Sequence, residues 1–207
     1  LESKVRFIGI DRPGYGLSDF KPERRIIDWA NDVAELADAL GIDRFSILGV
    51  SGGGPYAAAC ACKMPDRLDA VGIVCGMGPV DVPDLIKGMP WLYHQGLRLA
   101  SCLPAIVTAL YPFSAFLFRN YPGFILSILS TKVEAPDKIA LKNNDLRKVL
   151  SASFQEAFRR SLRWPAADVV LYSQPWGFDL EKIRTPLHLW HGERDRIVPV
   201  AMARYLA

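Results

Sequence analysis

Histidine and cysteine are scarce in this chain, and no extended run of like charge occurs. There are three histidines and four cysteines in 207 residues, and the formal net charge is +3. So small a charge provides no electrostatic footprint for nucleic acid or an anionic membrane surface. The densest basic spots, Arg24-Arg25 and Arg159-Arg160 with Arg163, are too short for a binding stripe and read as solvated helix faces. Cys60, Cys62, Cys75 and Cys102 include no C-x-x-C pair and have no His-x-x-x-His beside them, which argues against zinc. Cys60 and Cys62 are two apart, about 200° around a helix, and cannot share a ligand. The four read as small buried hydrophobes of a reducing compartment, the cytoplasm. Gly-Lys-Ser and Gly-Lys-Thr are absent, and the glycine spacing misses G-x-G-x-x-G, so the common phosphate-cradling loops are missing. No metal or cofactor is implied.

A long hydrophobic span is also missing. Residues 99–118 carry no charge, but Pro104 and Pro112 divide them into pieces shorter than a bilayer crossing. They read as helices over an apolar pocket, with no stable membrane span. No signal peptide is visible, and the chain opens at Leu1 close to an expected strand.

Half of the residues are hydrophobic and 23% are charged, enough for a sizeable core in one domain with a helical insertion. Residues 5–10 (VRFIGI) form an apolar run stopped by Asp11-Arg12-Pro13-Gly14, the pattern of a buried strand and turn. Asp28 offers an N-cap; Trp29, Val33, Leu36, Ala37 and Leu40 then recur at helical spacing, with Gly41 after the last. Residues 45–50 (FSILGV), 68–75 (LDAVGIVC) and 187–190 (LHLW) are further strands, and an Ala-rich helix covers 55–63. Strands alternating with helices imply an α/β fold, a mostly parallel sheet with helices on both faces. Residues 78–179 contain no clear strand. Their helical pieces, around 91–102, 105–111, 113–120, 123–130 and 144–163, predict a helical cap inserted between 1–77 and 180–207.

The chemistry-bearing segment is Gly49-Val50-Ser51-Gly52-Gly53, between an apolar strand and the Ala-rich helix. A serine hydroxyl needs a base, an orienting acid and donors for the oxyanion. A sharp strand-to-helix turn exposes the serine, and its crowded backbone demands small residues two before and two after, here Gly49 and Gly53. The Gly52 N–H is the natural first oxyanion donor, at the positive end of the following helix. A tight structural connection is the bland alternative. The second segment is His191-Gly192-Glu193-Arg194-Asp195, after the last strand. An acid there sits at the carboxyl edge of a parallel sheet, where open α/β sheets place their sites. Asp195 is therefore the candidate acid, against a structural role paired with Arg194 or Arg196. Asp81 is the reserve.

Three segments together resemble the α/β-hydrolase superfamily, in its large group with a helical cap: Asp11-Arg12-Pro13-Gly14-Tyr15-Gly16-Leu17-Ser18, the turn at Ser51 through Pro55, and His191 to Asp195 with Val198-Pro199. The resemblance implies Ser51 as nucleophile, Asp195 as triad acid, and cleavage of an ester, lactone, amide or carbon–carbon bond. The aromatic and aliphatic residues of the cap, such as Trp91, Tyr111, Phe113, Phe116 and Phe118, suggest a small apolar acyl or ring-bearing substrate, with ordinary cap core as the alternative for any one of them. Two family features have no counterpart: the His-Gly loop that supplies a second oxyanion donor, and the histidine base beyond the acid. His188 falls within a strand, His191 shares the turn of Asp195, and His94 belongs to the cap. The chain is thus expected to be an internal portion of a longer hydrolase. A non-catalytic ligand or partner binder of this fold, a carbon–carbon bond hydrolase and a cofactor-free peroxidase are the rival readings.

Overall fold

A computed structural model of the protein describes residues 5–207. Helix α1 (Trp29–Ala39) precedes strand β1 (Phe45–Val50), α2 (Gly54–Lys63) and β2 (Leu68–Val74). Six helices follow: α3 (Trp91–Cys102), α4 (Pro104–Asn120), α5 (Pro122–Ser130), α6 (Ala135–Ala140), α7 (Asn144–Ala157) and α8 (Ala166–Tyr172). Strand β3 (Leu187–Trp190) and α9 (Val200–Leu206) complete the described chain. The sheet is parallel throughout, in the order β1-β2-β3. Parallel neighbours require a crossover. Helix α2 provides it from β1 to β2, and the helices α3 to α8 provide it from β2 to β3.

The amphipathic pattern of α1 buries Ala30, Val33 and Ala37. Gly41 adopts φ +65° just past its end, as a helix terminus of this kind requires, and its N–H reaches Asp38 O at 3.0 Å. Asp28 does not cap α1. Its carboxylate turns back to the Arg25 N–H (2.8 Å) and guanidinium (2.8 Å), closing a 3-10 turn at Ile26–Asp28 that leads straight into α1. The bond to Arg25 holds the Asp28 carboxyl down at about 2. Helix α2 packs its Ala57, Ala58, Ala59 and Ala61 close to the sheet, in one core with Ile26, Ala30, Val33, Val71 and Ile73. The small side chains permit that approach.

This core lies on one face of the sheet. The face carrying Leu48, Val50 and Trp190 leaves them 61%, 56% and 56% exposed. Gly72 sits between them, since a Cβ there would meet Leu48 Cδ1 at 2.8 Å and Trp190 Cζ3 at 3.2 Å. Residues 5–10 also depart from expectation. They form no strand, and Val5, Phe7, Ile8 and Ile10 are exposed. A strand persists through its ladder partners, and none of the described strands pairs with this segment. Hydrophobic alternation alone cannot provide one.

Pro112 does not break the helix expected to end before it. Helix α4 runs from Pro104 to Asn120 through it. An interior proline forfeits one backbone bond. Hydroxyls on either side take nearby carbonyls, Thr108 Oγ1 to Pro104 O (2.9 Å) and Ser114 Oγ to Tyr111 O (2.8 Å). The piece expected over 144–163 is shorter: α7, capped by Asn143 Oδ1 on the N–H groups of Asp145 and Leu146, ends at Ala157, and α8 begins only at Ala166, beyond that piece. Among the described residues no helix is long and apolar enough to cross a membrane. Tyr111 and Phe118 pack on Phe158, and Phe118 also on Phe154. Trp91 and Phe113 are each 73% exposed. Of the cysteines, only Cys60 is buried, its thiol pushed up to about 12 by burial; Cys102 is exposed, contrary to expectation.

Candidate active site

The three strands end in register. Val50 lies beside Val74, and Val74 beside Trp190. Ser51, Cys75 and His191 therefore leave the same edge side by side. Ser51 is exposed and adopts φ +53°, a left-handed conformation that an L side chain rarely takes. A short 3-10 turn, Ser51–Gly53, converts β1 into α2 within three residues. The Ser51 carbonyl accepts the Met77 N–H at 3.1 Å, which ties the turn to the chain leaving β2.

Crowding selects the glycines, though not all of those expected. A Cβ on Gly49 would meet Gly53 O at 2.5 Å and Ala57 Cβ at 2.8 Å. On Gly52 it would meet the Tyr172 hydroxyl at 2.6 Å, and on Gly54 the Gly76 Cα at 2.9 Å. Gly53, expected to be small for steric reasons, faces open space. The close approach after Ser51 falls one residue earlier and one residue later than the motif suggests.

Asp195 lies in the loop after β3, whose end is two strands, roughly 10 Å by strand spacing, from the end of β1 that carries Ser51. Its Oδ1 accepts the N–H groups of Ile197 (2.8 Å) and Val198 (2.9 Å). Its Oδ2 accepts no hydrogen bond from a described residue; the nearest cation-capable atom is His191 Nε2 at 3.7 Å. The turn thus fixes the carboxylate with one oxygen and leaves the other available. The alternative pairing with Arg196 is not found, because Arg196 Nε bonds Glu134 at 2.6 Å. His191 Nε2 donates to Val198 O at 2.7 Å, so this ring braces the turn. His188 stacks on Trp190 within the sheet face, and His94 lies on α3. Asp81 is exposed in the turn after β2. Two surface hollows, one along α7 and one between α5 and α6, are lined by neither Ser51 nor Asp195.

One cluster near the turn escaped sequence reasoning. Asp168, on α8, is fully buried. It accepts hydrogen bonds from Arg12 Nε (2.7 Å), Arg24 Nη2 and the Tyr56 hydroxyl (2.7 Å). Arg24, expected on a solvated face, is buried here and also bonds the Tyr56 oxygen at 2.8 Å. The Arg12 guanidinium lies 4.8 Å from the Tyr15 ring centre and 5.1 Å from that of Tyr56. Burial pushes the Asp168 carboxyl up, but Arg12 and Arg24 outweigh it and hold it below the ordinary range. The stability this contributes is complete above the unfolded value of about 4. It is lost as pH falls through the depressed folded value. Asp168→Ala should lower stability at pH 7 by about 3–5 kcal/mol, because two guanidinium groups lose their counter-charge. For a chain of this size, that is roughly 6–20 °C in thermal melting. A shift under about 3 °C would show the cluster to be dispensable. No signal in the sequence marks Asp168, a single acid inside an ordinary helical pattern.

A family model described as the alpha/beta hydrolase fold matches residues 1–207. The chain is 34% identical over 94 residues to a serine hydrolase-like protein of Danio rerio, covering 43% of this chain and 29% of that one. It is 27% identical over 209 residues to RutD of Caulobacter sp. (strain K31), covering 100% of this chain and 69% of that one. Among solved structures, Est816, described as an N-acyl homoserine lactone degrading enzyme, matches at TM-score 0.57 and 25% identity, over 94% of this chain and 66% of its own. The chain therefore spans under a third of the first relative and about two thirds of the second relative and of Est816. Parallel strands flanked by helices, with a strained serine turn at the carboxyl edge, agree with the family match over the whole chain: the protein belongs to the α/β-hydrolase fold family.

Proposed function

We propose that the protein is a serine hydrolase that cleaves an ester or related acyl bond through an acyl-enzyme. The observation that carries this is Ser51: exposed, held at φ +53°, and placed at the sheet edge. The same edge presents an acid with an uncommitted oxygen, Asp195. Ser51 Oγ attacks the acyl carbon, a histidine accepts its proton, and Asp195 holds that histidine in the useful tautomer. The Gly52 N–H, at the start of a helical turn and without a partner within it, donates to the oxyanion. The tetrahedral species then collapses: the bond to the leaving oxygen breaks, the histidine gives its proton to the departing alcohol, and the acyl group stays on Ser51 Oγ. Water then releases the acid. His191 is spent on Val198 O and does not act as the base; neither His188 in the sheet nor His94 on α3 takes that role, and we assign the base to a histidine outside these 207 residues. Residues 78–179 act as a helical cap on a core of 1–77 and 180–207. The aromatic and aliphatic side chains of α3 to α5 favour a small apolar acyl group.

Product partitioning tests the acyl-enzyme. Two esters sharing one short acyl group but differing in leaving group, p-nitrophenol and phenol, are hydrolysed by the full-length protein in dilute methanol. A common acyl-enzyme gives the same ratio of methyl ester to acid from both substrates. Ratios that follow the leaving group would exclude the intermediate.

A further inference from the structure

The cluster around Asp168 ends at the serine turn. Tyr172 lies one turn after Asp168 on α8, so both side chains share a helix face. Its hydroxyl donates to Gly52 O at 2.8 Å and lies 3.3 Å from Asp168 Oδ2. The Met77 N–H already holds Ser51 O. A trans peptide is planar, so fixing the Ser51 carbonyl aims the Gly52 N–H the opposite way. Tyr172 fixes the next peptide plane through the Gly52 carbonyl. Both planes that flank Gly52 are thus held from outside. Gly52 is the residue with the most freedom to move them. Its lack of a side chain is also what admits the hydroxyl, since a Cβ would stand 2.6 Å from it. A left-handed Ser51 persists only where its surroundings over-determine it.

We propose that Tyr172, anchored through Asp168 to Arg12 and Arg24, is a positioning residue: it keeps the Gly52 N–H aimed at the oxygen of the bound acyl group. This rests on the reading of Ser51 as nucleophile. Helix α8 is then a fixed buttress of the turn, bonded to three separate stretches of the core by one carboxylate and one hydroxyl. Burial, and then the Asp168 charge, push the Tyr172 hydroxyl well up, so it remains a donor through the neutral range.

The test is Tyr172→Phe in the full-length protein, which keeps the ring and removes only the hydroxyl. Removing an oxyanion donor outright costs about 10²–10³ in kcat, and loosening one costs less. We expect kcat on a short p-nitrophenyl ester to fall about tenfold, with KM within a factor of two and the melting temperature within about 4 °C. Inhibition by a boronic acid, which forms the tetrahedral adduct on the serine, should weaken by a similar factor. An unchanged kcat would overturn the proposal. So would a loss of activity that tracks a large fall in melting temperature, or one that appears in KM alone. Ser51→Ala separates the two readings: turnover that survives it sinks the nucleophile itself, whereas its loss beside a fully active Tyr172→Phe sinks only the positioning role.

Discussion

Asp195→Asn should leave the turn after β3 folded and lower kcat about 10⁴-fold, the scale this change has in a Ser-His-Asp constellation. The two halves of the prediction come from the two oxygens. Oδ1 is the structural one, accepting Ile197 N–H and Val198 N–H at 2.8 and 2.9 Å. An asparagine can present its carbonyl oxygen there and keep both bonds. Oδ2 is the one left for chemistry. As an amide nitrogen it becomes a donor, and it stabilises the wrong histidine tautomer and no imidazolium. Melting should shift by a few degrees at most, since neither backbone donor is orphaned. A variant within tenfold of the parent would place the acid elsewhere, and Asp81→Asn would then be the change to make.

The serine itself carries the largest effect. Ser51→Ala should reduce kcat by about 10⁶, as loss of a nucleophile does when the triad acts as a unit. Ser51→Gly removes the same hydroxyl, yet the two variants should differ in stability. At φ +53° a side chain costs about 1–2 kcal/mol that glycine does not pay in the folded state. Part of that gain is returned through the greater freedom of glycine in the unfolded chain. Ser51→Gly should therefore melt above Ser51→Ala by a few degrees while both are inactive. Equal melting temperatures would mean that the turn holds no strain at Ser51. Three glycines plus the Met77 and Tyr172 bonds hold the turn in this conformation.

The parts legible in the sequence are those governed by short-range rules. Residues 187–190 were readable as a strand because an apolar run ends abruptly at His191-Gly192, and β3 has those bounds. The serine turn was readable because a β-run, closely spaced glycines and an Ala-rich helix must meet in that order to make it. What the sequence hid depends on partners far along the chain. Residues 5–10 have the composition of a strand but no neighbour among the described strands. Arg24 sits in an exposed-looking dipeptide, yet Asp168, 144 positions away, draws it inside. Pro112 punctuates the sequence but not α4. Gly53 fits the motif and touches nothing, while Gly52 is required by a tyrosine 120 positions later. Such requirements are set by packing between elements, and no local periodicity records them.

The central claim is that the hydroxyl of Ser51 is the nucleophile. A fluorophosphonate probe reacts with an activated serine, and peptide mapping by mass spectrometry reads which residue bears the adduct. Incubated with the full-length protein, it should give a single adduct on Ser51, lost in Ser51→Ala and slowed strongly in Asp195→Asn. An adduct mapped to another residue, or labelling that persists in Ser51→Ala, would contradict the account.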